Sequence, residues 1–280
     1  MLVPFTKMQG LGNDFLVLDQ VTNQVQLTAE QIRQLSDRHF GIGFDQLLQI
    51  EPPSRPDVDF DYRIFNADGQ EVEHCGNGAR CFARFVHEHR LSDRNPIRVK
   101  TVSRILELDL LPDGQVTVDM GRPILNPADI PLRTAGQAPV YRRTLEIEGS
   151  SLEVEFSALS MGNPHAVLIV DDIESAPVKE VGTALGAHPD FPEGVNVGFM
   201  EIKNREQVNL RVFERGAGET LACGTGACAA VVAGRMRGLL DASVELALRG
   251  GNLTVSWPAD SSPVLMTGPA ITVFEGEIEL

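Results

Sequence analysis

The sequence predicts an α+β protein built from two copies of one domain. Arg63-Ile64-Phe65, Glu71 and Cys75-Gly76-Asn77-Gly78-Ala79 recur as Arg211-Val212-Phe213, Glu219 and Cys223-Gly224-Thr225-Gly226-Ala227, every member displaced by 148 residues. Upstream, Gly12-Asn13 before Leu16-Val17-Leu18-Asp19 is matched by Gly162-Asn163 before Val167-Leu168-Ile169-Val170-Asp171, and Gln46 falls opposite Asn196; the Gly-Asn pair and Gln46 are displaced by 150. Three segments in one order at nearly one offset mark a duplication. The chain has 280 residues, 42% hydrophobic and 22% charged, a composition of soluble globular proteins and a length that suits two domains of about 140 residues.

The elements follow in chain order. Apolar and polar residues alternate over 60–65, which reads as a strand. After Cys75, apolar Ala79, Phe82, Ala83 and Val86 recur at helical spacing beside Arg80, Arg84 and His87, so a buried-faced helix is expected there. Alternation returns over 104–111. Pro123, Pro127, Pro131 and Pro139 then punctuate a strand-poor stretch, which places the boundary between the copies near Gly121. Strands are expected again over 144–156 and 208–213. The helix after Cys223 is almost wholly small and apolar from Ala227 to Ala233 and should be buried on most sides. After a break between Pro263 and Pro269, a last strand over 271–280 has no counterpart at the end of copy one and is read as crossing back to it. The expected domains are therefore 1–120 with 268–280, and 121–267.

A formal charge of −15 and a pI near 4.8 argue against a nucleic-acid binder or an anionic-membrane binder, either of which needs a basic face. A carboxylate substrate would be repelled by this global charge, so its site must compensate locally through arginine or helix N-termini. The first residues lack the features of a signal peptide, and no apolar stretch approaches the length of about 18 residues that would suggest a membrane span; a cytoplasmic location is expected. Four cysteines are too few for a disulfide scaffold in such a setting.

Cysteine spacing sorts the thiols. Cys75 and Cys81, or Cys223 and Cys228, fall on different faces of a helix, and the paired C-x2-C pattern of structural zinc is absent, so no metal is expected. Cys81 and Cys228 read as packing residues. Cys75 and Cys223 each sit at a helix mouth, where the positive end of the dipole and flanking glycines combine a potential thiolate with an anion cradle. Pseudo-twofold packing of the copies would set the two mouths across from each other. Two other readings compete: glycines that merely end turns beside packed cysteines, and a dinucleotide fingerprint in Gly224-Thr225-Gly226-Ala227-Cys228-Ala229, which would have to follow a buried parallel strand.

Inverting a stereocentre next to a carboxylate requires taking a proton from one face and delivering one to the other. Two thiols of comparable pKa meet that need, and the N–H groups at Gly76-Asn77 and Gly224-Thr225 would stabilise charge developing on the carboxylate. The scheme demands no cofactor.

Taken together, Gly10-Leu11-Gly12-Asn13-Asp14-Phe15, Phe65-Asn66-Ala67-Asp68-Gly69, Cys75 to Cys81, Met161-Gly162-Asn163-Pro164-His165-Ala166, Gly194-Val195-Asn196 and Glu214 to Thr220 through Cys223-Gly224-Thr225-Gly226 resemble the diaminopimelate epimerase family. The resemblance runs from near the start to the second helix. It implies a diaminopimelate-epimerase-like duplicated fold, each domain a mostly antiparallel sheet wrapped around a central helix. It also implies a pyridoxal-phosphate-independent isomerase that interconverts LL- and meso-2,6-diaminopimelate in lysine and cell-wall precursor biosynthesis. By motif, Cys75 and Cys223 resemble the catalytic thiols, and Gly76, Asn77, Gly224 and Thr225 the carboxylate cradle. Asn13, Gln46, Asn66, Asn163, Asn196, Glu214 and Arg215 match positions lining the substrate pocket, with Arg215 facing the distal carboxylate and Glu214 an ammonium group. His165 and Glu214 are expected to tune the thiol pKa values.

The sequence departs from the family pattern at Gln9, where histidine is frequent, and at Phe274, where a tyrosine associated with the dimer surface is common; a homodimer is still expected. Proline racemases and hydroxyproline epimerases would share the two thiols but have no use for Glu214-Arg215. A nucleotide-dependent oxidoreductase rests on the glycine pattern alone, and a catalytically silent binding protein of the same fold would lack one thiol. If the two mouths face each other, oxidants should inactivate the protein by joining Cys75 to Cys223, and dithiothreitol should restore it.

Overall fold

β1 (Leu2–Gly10) and β2 (Asn13–Asp19) form an antiparallel hairpin whose two turn residues, Leu11 and Gly12, have φ of 57° and 84°. The computed structural model describes residues 2–72 and 76–280. It divides into two compact units, Met1–Asp119 with Thr267–Leu280, and Met120–Met266.

In the first unit, α1 (Ala29–Ser36) starts at a capping box in which Thr28 accepts from the Gln31 N–H and the Gln31 side chain accepts in return. β3 (Gln46–Glu51) runs parallel to β2 with Phe15 opposite Gln46, and β4 (Phe60–Asn66) runs antiparallel to β3 with Gln46 opposite Asn66. β5 (Glu71–Val72) folds back on β4, and α2 (Gly76–Glu88) follows. The helix lies close against the strands: Phe82 meets Tyr62 at a centroid distance of 4.7 Å, and a Cβ on Gly78 would come within 2.4 Å of the Tyr62 hydroxyl. β6 (Ile97–Lys100) pairs parallel with β4, and β7 (Ile105–Leu110) and β8 (Val116–Asp119) extend the sheet antiparallel.

The second unit repeats this plan. β9 (Tyr141–Ile147) and β10 (Ser150–Ser160) are antiparallel, β11 (Pro164–Ile169) follows on β10, and beyond α3 (Val178–Gly186) comes β12 (Asn196–Asn204), parallel to β11 with His165 opposite Asn196. β13 (Gln207–Glu214) is antiparallel to β12, and β14 (Gly218–Thr220) folds back on β13. α4 (Gly224–Met236) is buried from Gly224 to Gly234, after which β15 (Ser243–Leu248) pairs parallel with β13 and β16 (Gly251–Ser256) antiparallel with β15. The division between the units falls within β17 (Leu265–Gly268), and β18 (Ile271–Glu279) lies antiparallel on β1.

Register repeats with the sequence. Ile64 opposite Val72 and Phe65 opposite Glu71 correspond to Val212 opposite Thr220 and Phe213 opposite Glu219. Each unit is thus a mostly antiparallel sheet with two α-helices among the described residues, of which the longer, α2 or α4, is the more extensively buried, the α+β class expected from the sequence. Three details differ from the expected elements. The alternating stretch 144–156 belongs to a hairpin rather than one strand, because Glu148 and Gly149 both adopt positive φ (52° and 82°) and reverse the chain. The strand-poor stretch after Gly121 contains a 3-10 turn at Pro127–Asp129 and a bridge from Ile124 to Ser160. Finally, the last strand does have a counterpart, since β18 holds on β1 the place that β9 holds on β10.

Candidate active site

Each unit gathers its chemistry-bearing residues at equivalent ends of equivalent elements. In the first, the tight turn at Leu11-Gly12 delivers Asn13 to the start of β2, Gln46 begins β3, Asn66 ends β4 and Gly76 opens α2. Gln46 Nε2 donates to Asn66 Oδ1 at 2.9 Å, and Asn77 Nδ2 lies 3.4 Å from Asn13 Oδ1. Gln46 Oε1 is buried and accepts no hydrogen bond from the described residues, which leaves an acceptor for an N–H or ammonium of a ligand. Cys75 lies outside the described residues.

An ionic frame holds this half-site. Asp14 receives both terminal nitrogens of Arg38 at 2.8 Å and Lys7 Nζ at 2.7 Å, while Asp45 accepts from Arg38 and, at 3.0 Å, from Asn13 Nδ2. Burial would raise the Asp14 pKa, but the hydrogen bonds from Arg38 and Lys7 outweigh it and hold the carboxyl well below the usual range. Asp14 and Asp45 flank Asn13 and Gln46 in sequence, and that adjacency to two candidate residues was the only signal of their role.

In the second unit, Cys223 precedes α4 as its N-cap and is 4% exposed, with Gly224 and Thr225 forming the first helical residues. Its thiol donates to Glu214 Oε2 at 3.1 Å and lies 3.6 Å from the Thr225 hydroxyl. Burial first, and then the Glu214 charge, push the Cys223 pKa well above its ordinary value, against smaller opposing contributions from Thr225 and the Gly226 N–H. Cys223 is therefore a thiol at neutral pH. Glu214 is itself fixed by the Thr220 hydroxyl at 2.5 Å, a partner that motif reading overlooked.

Asn196 accepts from the Arg215 N–H at 2.8 Å, which locks the end of β13 to the start of β12. The exposed Arg215 side chain donates to the Glu193 carbonyl and passes over Gly194, where a Cβ would come within 2.9 Å of its Cδ. His165 is fully buried, with Nε2 3.0 Å from Asn163 Oδ1. Burial and the nearby Arg215 charge hold its pKa down to about 3, so it is a neutral imidazole at neutral pH.

A repeated ion pair secures both approaches. Arg63 donates from Nε and Nη2 to Glu71 at 2.8 and 2.9 Å, and Arg211 does the same to Glu219 at 2.7 and 3.0 Å. These bidentate pairs clamp β5 to β4 and β14 to β13 just before the cysteine of each copy. Cys81 and Cys228 are fully buried free thiols. The dinucleotide reading of the glycines fails, because the element leading into α4 is β14, a three-residue strand antiparallel to its neighbour. Among the described residues no group of three or more metal-ligating side chains occurs.

Fold and site together define a class, the duplicated α+β architecture with a thiol at a helix mouth. Solved structures share the architecture: hydroxyproline epimerase from Agrobacterium vitis matches at a TM-score of 0.70 and 17% identity over 99% of this chain and 92% of its own. A phenazine biosynthesis protein from Bacillus anthracis matches at 0.69 and 16% over the whole of both chains. At such identities the likeness shows the fold alone. The family is shown by sequence: the diaminopimelate epimerase model matches residues 5–126 and 157–273, and this chain belongs to that family. It is 58% identical to the diaminopimelate epimerase of Azotobacter vinelandii over all of both chains, and 60% identical to that of Laribacter hongkongensis, again over all of both.

Proposed function

We propose that the chain is an isomerase that epimerises LL-2,6-diaminopimelate to the meso form, and the reverse, by a two-base exchange between Cys75 and Cys223. The observation that carries the reading is the buried Cys223 thiol, hydrogen-bonded to Glu214 at the mouth of α4. A thiol kept protonated there supplies a proton to a carbanion; in the opposite direction, once deprotonated, it removes one. Cys75 is the second acid/base group, entering the reaction as thiolate when Cys223 enters as thiol. Residues 1–120 with 268–280, and 121–267, are the domains that carry one thiol each.

The reacting carboxylate is assigned to the N–H groups of Gly76, Asn77, Gly224 and Thr225, where preorganised donors stabilise the charge that builds up as the α-proton leaves. Asn13, Gln46, Asn66, Asn163 and Asn196 supply polar contacts around the rest of the substrate, the orphan Gln46 Oε1 being suited to an ammonium N–H. Arg215 faces the distal carboxylate and Glu214 an ammonium, while Glu214 and the neutral His165 set the electrostatics around Cys223. No helix of the described residues is long and apolar enough to cross a membrane. We further propose a cytoplasmic homodimer. Its support is the exposed apolar run on the first unit, with Ile271 47%, Val273 55% and Phe274 46% exposed on β18.

The test is incubation of reduced protein, without pyridoxal phosphate, with LL-diaminopimelate in D2O. Deuterated meso product that vanishes in both Cys75→Ala and Cys223→Ala is the expected result. Exchange of L-proline instead would overturn the substrate, and product formation surviving either substitution would overturn the two-thiol mechanism.

A further inference from the structure

Residue 80 breaks the symmetry of the duplication. At the displacement of 148 that relates the helices, Asn77 corresponds to Thr225 and Arg80 to Cys228. Arg80 is fully buried inside α2. Its Nη2 donates to Asn77 Oδ1 at 3.0 Å and its Nε to the Pro269 carbonyl at 3.0 Å. Asn77, 3% exposed, in turn directs Nδ2 toward Asn13.

The strand beneath has been fitted to this guanidinium. A Cβ on Gly10 would lie 3.2 Å from Arg80 Nη2 and 3.4 Å from the Asn77 carbonyl, so a side chain there would press on the pair. At the displacement of 150 that relates the Gly-Asn turns, Gly10 corresponds to Ser160. A large residue on the helix is matched by an absent side chain on the strand in one copy, and a small residue by a larger one in the other.

The chemistry of Asn77 and Thr225 explains the difference. A carboxamide presents an acceptor on one side and two donors on the other, and its two flipped orientations differ little in shape. Only one of them turns N–H groups toward an anion. A threonine hydroxyl rotates freely between donor and acceptor and needs no such device. A guanidinium has donors and no acceptor, so a bond from Arg80 admits Asn77 in the Oδ1-inward orientation alone.

We propose that Arg80 is a positioning residue for the reaction, acting through Asn77: it fixes the carboxamide with its N–H groups outward, so that the α2 mouth receives the substrate carboxylate. The proposal rests on the epimerase reading above. Its test combines Arg80→Met, Arg80→Lys and Gly10→Ala with Asn77→Ala, the last also identifying the Asn77 side-chain NH2 resonances in protein labelled with 15N-asparagine. Arg80→Met should shift those resonances and lower kcat/KM roughly tenfold or more. Arg80→Lys should restore part of both, and Gly10→Ala should move the resonances with Arg80 still present. In the double variant Arg80→Met/Asn77→Ala the loss should not exceed that of Asn77→Ala, because both remove one function. Unmoved resonances in a folded Arg80→Met or Gly10→Ala protein, or losses that multiply in the double variant, would overturn the proposal. If wild type fails to epimerise diaminopimelate, the substrate reading falls, while the resonances still decide whether Arg80 orients Asn77.

Discussion

Gly226 is the third residue of α4, and an alanine there would test how finely the thiol is placed. Its added Cβ would stand 3.0 Å from Val212 Cγ2 and 3.3 Å from both Cβ and Sγ of Cys223, so one of these groups has to retreat by a few tenths of an ångström. Two opposing effects act on stability. Replacing a helical glycine by alanine gains about 1 kcal/mol, whereas an extra methyl in a close-packed site costs about 1–3 kcal/mol. Gly226→Ala should therefore lie between unchanged and about 2 kcal/mol less stable, a protein that still folds. Activity is more sensitive. Displacing the thiol by part of an ångström from Glu214, 3.1 Å away, degrades both its hydrogen bond and its line to the α-carbon, and a 1 Å error costs on the order of a hundredfold. We expect kcat to fall roughly tenfold with KM changed much less, measured by coupled assay of meso-diaminopimelate formation beside a urea unfolding curve. A kcat within twofold of wild type in this variant would refute the reasoning that the Cys223 position is set by this contact.

Further outcomes follow from the electrostatics. In a Cys75→Ala background, Glu214→Gln should make Cys223 react several-fold faster with iodoacetamide at pH 8, since removing the carboxylate lowers a pKa that burial and Glu214 together raise; an unchanged rate would show that burial alone governs the thiol. His165, with its pKa near 3, should show no imidazole titration by NMR from pH 5 to 9, so an inflection near pH 6.5 would contradict its burial as a neutral ring. Asp14 has a depressed folded-state pKa, so its contribution is full above the unfolded carboxylate value of about 4 and is lost as pH falls through and below that value. Asp14→Asn should remove about 1–2 kcal/mol at pH 7, discounted because Arg38 is half exposed, and flatten urea stability between pH 5 and pH 2; an unaltered acid slope would rule out this network. Phe274→Glu on the exposed face of β18 should shift the protein toward monomer in light scattering, and an unaltered mass would place the interface elsewhere.

The duplication was legible because it is written in side chains that geometry requires twice. Arg63 with Glu71 and Arg211 with Glu219 recur since each closes the same antiparallel pairing, and the glycines after each cysteine recur since each helix starts against the strands below it. What stayed hidden was short or nonlocal. α1 has eight residues and α3 nine, too few for a helical period to emerge, although Thr28 and Gln31 spell the cap of α1. The β9–β10 reversal lies inside an alternating run and depends on Glu148 and Gly149 adopting positive φ, which alternation does not encode. The salt network of Lys7, Asp14, Arg38 and Asp45 joins residues that are far apart in sequence, so only Asp14 and Asp45, as neighbours of Asn13 and Gln46, hinted at it.

The departures from symmetry say more about chemistry than the repeats do. Two identical halves would hold two identical thiols, and a pair of equal acids or equal bases does not start a proton relay in a defined state. At the place where the first copy has Asn66 the second has Glu214, which keeps Cys223 protonated; at the place where the second has Cys228 the first has Arg80, a permanent positive charge within the helix that follows Cys75. A carboxylate bonded to Cys223 in one half and a guanidinium bonded to Asn77 in the other make the starts of α4 and α2 chemically unlike. The repeat supplies two like helix starts and the substitutions within it make their surroundings differ, so removing the charge at residue 214 should alter Cys223 reactivity without disturbing the fold that both copies share.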